Sequence, residues 1–240
     1  MSIKISESLR DTISQAESKL DRIRCPYESS SVTIFLHYLK VLDLTKSIQN
    51  IPATGVSKSV FALIVRTTIE TWARLVYGIG APERIIDLEL ESLESEIALH
   101  RVFDITFDST GHPFDLSTYL RNQTTKLNEL KAKGAKKRHI SEIFESIKGL
   151  EIHRSVYKHL CQATHSSIIS LIGDYFRVDP KTDDPYFAIS DRLESKDLFP
   201  YYHSQCIALC HGSQIVHEFF KTGEEKNFQN LMETVKELQS

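Results

Sequence analysis

Between Glu151 and Arg177 the sequence EIHRSVYKHLCQATHSSIISLIGDYFR gathers side chains that can handle a phosphodiester. A guanidinium or ammonium holds phosphate oxygens, while an imidazole moves a proton to or from a ribose oxygen. This is ribonuclease chemistry without a metal. At about 100° per residue, Arg154, Lys158, Cys161 and His165 share one side of a helix, and the stripe continues into Ile168, Ile169 and Ile172. His159 follows Arg154 by five residues, but on an unbroken helix the two stand about 140° apart, so His165 is the better placed imidazole. The competing reading makes His165 a core histidine that donates to a carbonyl or acid on a neighbouring helix.

A second pair lies some ninety residues earlier. Arg66 and Glu70 are spaced i, i+4, hence neighbours on a helix face, within a segment too apolar to be mostly exposed. Glu70 is expected either to orient Arg154, Lys158 or His165 across a helix interface or to form a structural ion pair with Arg66. Tyr157, Trp72 and Tyr77 read as core or rim aromatics, and a tyrosine beside a phosphate-binding patch can stack a base.

Other chemistries find little support. His203, Cys206, Cys210, His211 and His217 are zinc-ligand types. Seven residues on a helix span about 10.5 Å, however, so His203 and Cys210 cannot reach one ion, and the cysteines read as core. Gly78 and Gly80 in YGIGAPE lack the third glycine and preceding strand of a phosphate loop. GxSxG, HExxH and acidic calcium-loop motifs are also missing from the sequence. No metal and no cofactor are expected.

Helices must position these groups. Apolar spacing gives one over 3–24, a second from Ser29–Ser31 to Asn50, and a third, KSVFALIVRTTIETWARLVYGIG, apolar around most of its circumference and so central. A fourth opens at Pro82, a Lys-rich fifth covers Tyr119 to Lys137, ISEIFESIKGLE forms a short element, 151–177 is one long helix, and Leu198–Thr222 and FQNLMETVKEL close the chain. The expected fold is all-α, a single helical bundle over 1–240, with loops at 108–117, 131–140 and 178–190. The run KAKGAKKRH reads as a solvated helix end that could also touch phosphates or an acidic partner. With 41% hydrophobic and 25% charged residues, a net charge of -3 and four cysteines without a CxxC pair, the chain fits a cytoplasmic globular protein. It lacks the charge to coat nucleic acid in bulk and any apolar run long enough for a membrane.

The Arg154-Ser-Val-Tyr-Lys-His159 spacing resembles the Arg-x(4 to 6)-His signature of the HEPN superfamily (higher eukaryotes and prokaryotes nucleotide-binding). The combination of Arg66-Thr-Thr-Ile-Glu70 with Tyr157-Lys-His-Leu-Cys-Gln-Ala-Thr-His165 is similar to an uncharacterised bacterial helical family. That family pairs an Arg-x3-Glu helix with a Tyr-Arg-x-Leu-Ser-x3-His segment. Lys158 stands where that family has arginine and Cys161 where it has serine, and an ammonium cannot make a guanidinium's bidentate contact. The resemblance implies a HEPN-like ribonuclease acting on RNA as a toxin or phage-defence effector. It also implies a homodimer and a protein partner or antitoxin. The other open function is a non-catalytic helical interaction module.

Overall fold

The computed structural model describes residues 2–51, 58–102, 115–147, 151–164, 176–187 and 198–238. Among them run α1 (Ser2–Ser18), α2 (Ser29–Gln49), α3 (Lys58–Gly80), α4 (Pro82–Val102), α5 (Leu116–Ala132), α6 (Ile140–Ser146), α7 (Glu151–Thr164), α8 (Phe199–Phe219) and α9 (Glu225–Glu237). The fold is an all-α bundle carrying one two-stranded ribbon. As its apolar circumference requires, α3 packs against α2, α4, α6, α7 and α8, with Phe61, Ile69, Trp72 and Leu75 fully buried. A single residue, Ala81, joins α3 to α4, and Pro82 takes the first-turn position where its missing N–H is harmless. At that corner Gly78 permits close approach. A Cβ there would meet Ile34 Cδ1 at 2.9 Å and Leu88 Cδ1 at 3.0 Å, so α2, α3 and α4 converge closely enough that a larger residue would have to displace those two side-chain ends. No helix among the described residues is long and apolar enough to cross a membrane.

The Lys-rich helix differs from its sequence bounds at both ends. Asp115 caps it by accepting from the Thr118 amide, so it begins before Tyr119. It stops before Lys137 because Gly134 takes a φ of +89°, letting the Ala135 amide reach back to the Leu130 carbonyl at 3.0 Å. The segment then docks on α4 through one buried carboxylate. Asp87 accepts from the Tyr77 hydroxyl (2.7 Å), the Lys136 amide (2.7 Å) and Arg138 Nε (3.1 Å). His139 and Glu142 form a capping box that starts α6.

The expectation of one helix over 151–177 is corrected. Phe176–Val178 forms β1 and pairs antiparallel with β2 (Pro185–Phe187), so Arg177 belongs to a strand, and the Pro- and Asp-rich stretch expected as a plain loop is a hairpin tip. Backbone pairing across the ribbon replaces the helical ladder. The tip is closed by the Asp179 amide on the Asp184 carbonyl, the Lys181 amide on Asp179 Oδ1, and Asp183 at a φ of +59°.

Polar groups enter the core already partnered. Thr45 donates to Gln205 Oε1, Gln205 Nε2 donates to Thr68 Oγ1, and the Tyr38 hydroxyl bonds Ser213. His217 is fully buried, stacked on Phe228 at 5.1 Å with Nδ1 bonded to Thr222 Oγ1. Glu224, Glu225 and Lys19 are the charges around it, and Lys19 pairs with Glu224 at 3.1 Å. Burial holds the His37, His203, His211 and His217 imidazoles below their ordinary value.

Two outcomes follow from this packing. The four imidazoles stay neutral when folded, so below about pH 6.5 the unfolded chain binds protons that the folded chain does not. Thermal denaturation is therefore expected to give a level Tm above that pH and a falling one as acid is added, with a shallower fall in His217→Gln. Asp87→Ala removes the acceptor of three donors, two of them inside the α3–α4–α5 junction, and is expected to cost about 3 kcal/mol in urea denaturation.

Candidate functional site

Arg66, Glu70 and Arg74 follow one another at i, i+4 along α3, a row of alternating charge on the side facing α4 and α7. Arg66 Nε donates to Glu70 Oε1 at 3.0 Å, and its Nη1 donates to Thr164 Oγ1 at 2.8 Å, bridging 98 residues of sequence. The Tyr157 hydroxyl donates to the same Glu70 oxygen at 2.8 Å. Arg74 lies 3.9 Å from Glu70 Oε2 and grips Glu91 of α4 with two parallel bonds, at 2.8 and 3.1 Å. A single polar row therefore links three helices, running Glu91, Arg74, Glu70, Arg66, Thr164.

The row is half-buried at the rim of the bundle. Arg66 and Glu70 each keep 24% of their side-chain surface in solvent. Phe144 of α6 packs on the Tyr157 ring at 5.2 Å, and the Arg66 guanidinium sits 5.7 Å above that ring. Partial burial opposes charge on Arg66, but the hydrogen bond that Arg66 donates to Glu70 and the neighbouring Cys161 and Tyr157 outweigh it, and the net direction is upward. Tyr157 is pushed far above the usual phenol range, first by burial, then by its bonds with Cys161 and Glu70, so it stays a proton donor toward the carboxylate. The arrangement presents a cation of fixed orientation, held by a carboxylate and flanked by a phenol, a hydroxyl and a thiol.

Sequence and structure agree on part of this. Arg66, Glu70 and Tyr157 come together. Tyr157, Leu160 and Thr164 form the stripe of α7 turned toward α3, while Lys158 and His159 are exposed on its solvent side. Among the described residues neither of those two bonds to Glu70, whose oxygens serve Arg66, Tyr157 and Arg74 instead. The side chain of Arg154, and the whole of His165, lie outside the described residues. Thr164, Arg74 and Glu91 were not anticipated. Thr164 is seven residues beyond Tyr157, and so on the same face, and Arg74 continues the i, i+4 series from Glu70. Those spacings were the available signal.

The candidate zinc ligands of α8 are committed elsewhere. Cys206 and Cys210 are fully buried, and burial drives their thiols up, Cys210 to about 12. His211 Nδ1 accepts from Trp72 Nε1 at 3.1 Å, and His203 stacks on Phe199 at 5.6 Å. Among the described residues no three metal-binding side chains converge.

Glu70 is thus the shared acceptor of the site, which sets its mutational behaviour. Glu70→Ala strands Arg66 and the Tyr157 hydroxyl together and is expected to cost about 2 to 3 kcal/mol, against about 1 kcal/mol for Tyr157→Phe. In urea denaturation the double variant is expected to lose less than the sum of the two, because one hydrogen bond is counted in both.

No curated protein and no solved structure matches the chain. A family model matches residues 32–184, a span that runs from α2 to the tip of the ribbon and includes both α3 and α7. The Arg66–Glu70 pair and its Tyr157 and Thr164 partners therefore fall inside the matched region, and α1, α8 and α9 outside it. On that match the chain belongs to DUF5677, a family of unknown function.

Proposed function

We propose that this protein is a metal-independent, HEPN-like ribonuclease whose site is built on the Arg66–Glu70–Tyr157 cluster, with His165 as its proton-transfer group. The observation that carries this reading is the bond from Arg66 Nη1 to Thr164 Oγ1, because Thr164 immediately precedes His165 in the chain. A guanidinium anchored at Nε by Glu70 offers its outer edge to phosphate oxygens without the entropy cost of a free side chain. The exposed Lys158 adds a second cation on the same margin of α7, next to Arg154 in the sequence stripe.

In the reaction, the ribose 2′-oxygen bonds to phosphorus as its proton passes to an imidazole. The 5′-oxygen leaves with a proton supplied by a second acid, and the product ends in a 2′,3′-cyclic phosphate. A homodimer would provide that second group as the other copy's His165. Arg66 and Lys158 take up the charge that develops on the phosphoryl oxygens.

A second reading rests on a different feature of the same cluster. Arg66, Glu70 and Tyr157 satisfy one another, as they would in a closed polar core of a non-catalytic interaction module. Incubation of labelled single-stranded RNA in EDTA separates the two. The ribonuclease yields cyclic-phosphate ends, loses at least 100-fold in rate with His165→Ala, and is impaired by Arg66→Lys at unchanged Tm. A folded wild type that leaves RNA intact, or a His165→Ala variant as active as wild type, overturns it and leaves the interaction module.

A further inference from the structure

From Arg121 to Arg138 the chain carries seven cations and one acid, Glu129, while the other 22 of its 29 cations share the rest of the chain with 31 of its 32 acids. In a protein of net charge -3, this is a pronounced local reversal. Lys126, Lys131, Lys133, Lys136 and Lys137 are all exposed. Among the described residues only one carboxylate offsets them directly: Glu94 of α4 takes both Lys131, at 3.1 Å, and Lys137, at 3.6 Å. Among the described residues Lys133 and Lys136 pair with no acid.

The backbone beneath these lysines is fixed. The Gly134 turn ends α5, Ala135 is buried, and the Lys136 amide and Arg138 are tied to the buried Asp87. With its amide drawn inward, Lys136 is presented outward from a rigid turn, so little order must be created when a polyanion binds. The surface also lies close to the candidate site. The helix α6 starts at this turn and sets Phe144, four residues or about 6 Å along it, against Tyr157. Along α3 the separation is also short, since Tyr77, bonded to Asp87, is seven residues or about 10 Å from Glu70.

We propose that the surface formed by Lys126, Lys131, Lys133, Lys136 and Lys137 is the track that receives the sugar-phosphate backbone of single-stranded RNA and leads it across α6 to the Arg66–Glu70–Tyr157 site. The proposal rests on the ribonuclease reading for its choice of RNA, and on charge and placement for the track itself. Such contacts position a strand without reading its bases, so binding depends on salt rather than on sequence.

Fluorescence anisotropy with a labelled 2′-O-methyl RNA of about 20 nucleotides, which cannot be cleaved by its own 2′-oxygen, tests the track between about 50 and 200 mM KCl. Lys133→Gln/Lys136→Gln disturbs no ion pair among the described residues. It is expected to weaken binding roughly tenfold at low salt and to reduce the log–log salt slope by about 1.4, at about 0.7 per single-strand phosphate. Lys4→Gln/Lys226→Gln, with the same change in net charge, is expected to bind as wild type does. Equal losses in the two variants, no loss in the first, or no RNA binding by the wild type at low salt overturns the track. Displacement of the RNA by poly-glutamate at equal charge concentration also overturns it, in favour of an acidic protein partner. Binding that depends on Lys133 and Lys136 in a protein that cleaves no RNA keeps the track and removes the ribonuclease. Cleavage of ordinary RNA that survives the double substitution unchanged removes the track and keeps the ribonuclease.

Discussion

The carboxylate of Glu70 is the group on which the polar architecture turns. It stands on the helix that touches five others, and it gathers Arg66 from its own helix, Tyr157 from α7 and the edge of Arg74, which in turn grips α4. A lone carboxylate at this depth would be costly to desolvate. One that accepts from a guanidinium and a phenol has its lost hydration replaced and fixes the azimuth of every donor around it. The orientation of α7 against α3 is thereby set twice, by apolar contact beneath and by hydrogen bonds at the rim. The apolar layer gives most of the stability, whereas the polar layer chooses among rotations that would bury similar area.

A second buried carboxylate does the same for the other end of the bundle. Asp87 sits where α3, α4 and the α5–α6 turn meet, and its two oxygens take a phenol, an amide and a guanidinium. Glu70 and Asp87 thus divide the work: one registers the helix that carries the candidate chemistry, the other registers the basic turn. Each accepts from a tyrosine of a neighbouring helix, Tyr157 of α7 for Glu70 and Tyr77 of α3 for Asp87, whose ring packs in apolar surroundings while its hydroxyl finds the acid.

Much of the fold was legible in the order and period of apolar residues. The central place of α3 follows from Phe61, Val65, Ile69, Trp72 and Leu75 recurring around a helix with few charges, and Pro82 marks the start of α4. The i, i+4 spacing of Arg66 and Glu70 announced their pair. Partner identity across helices was less legible, because period assigns a face to each residue but not what that face meets. The contacts of Thr164 with Arg66 and of Glu91 with Arg74 are of this kind, joining residues 98 and 17 apart in the chain. Ends were the weakest point. The stop at Ala132 depends on one glycine taking a left-handed conformation, and the pairing of Phe176–Val178 with Pro185–Phe187 is a non-local contact to which a helical periodicity is blind. The solvent exposure of Lys158 and His159 was not legible, because the stripe that holds Lys158 also carries Cys161 and leads into isoleucines, and period alone does not say which side of such a helix meets the bundle.

The single-residue corner at Ala81 carries a consequence for how this sequence can vary. Because α3 and α4 meet through Ala81 and press together at Gly78, the Arg74–Glu91 and Tyr77–Asp87 pairs are both referred to the same corner. One residue added or removed there would rotate α4 by about 100° and move both acids off their partners at once. Chain length at this corner is therefore as much a specification as residue identity. Substitutions along the outer face of α4 leave the two pairings alone, but a change of length would unmake both together.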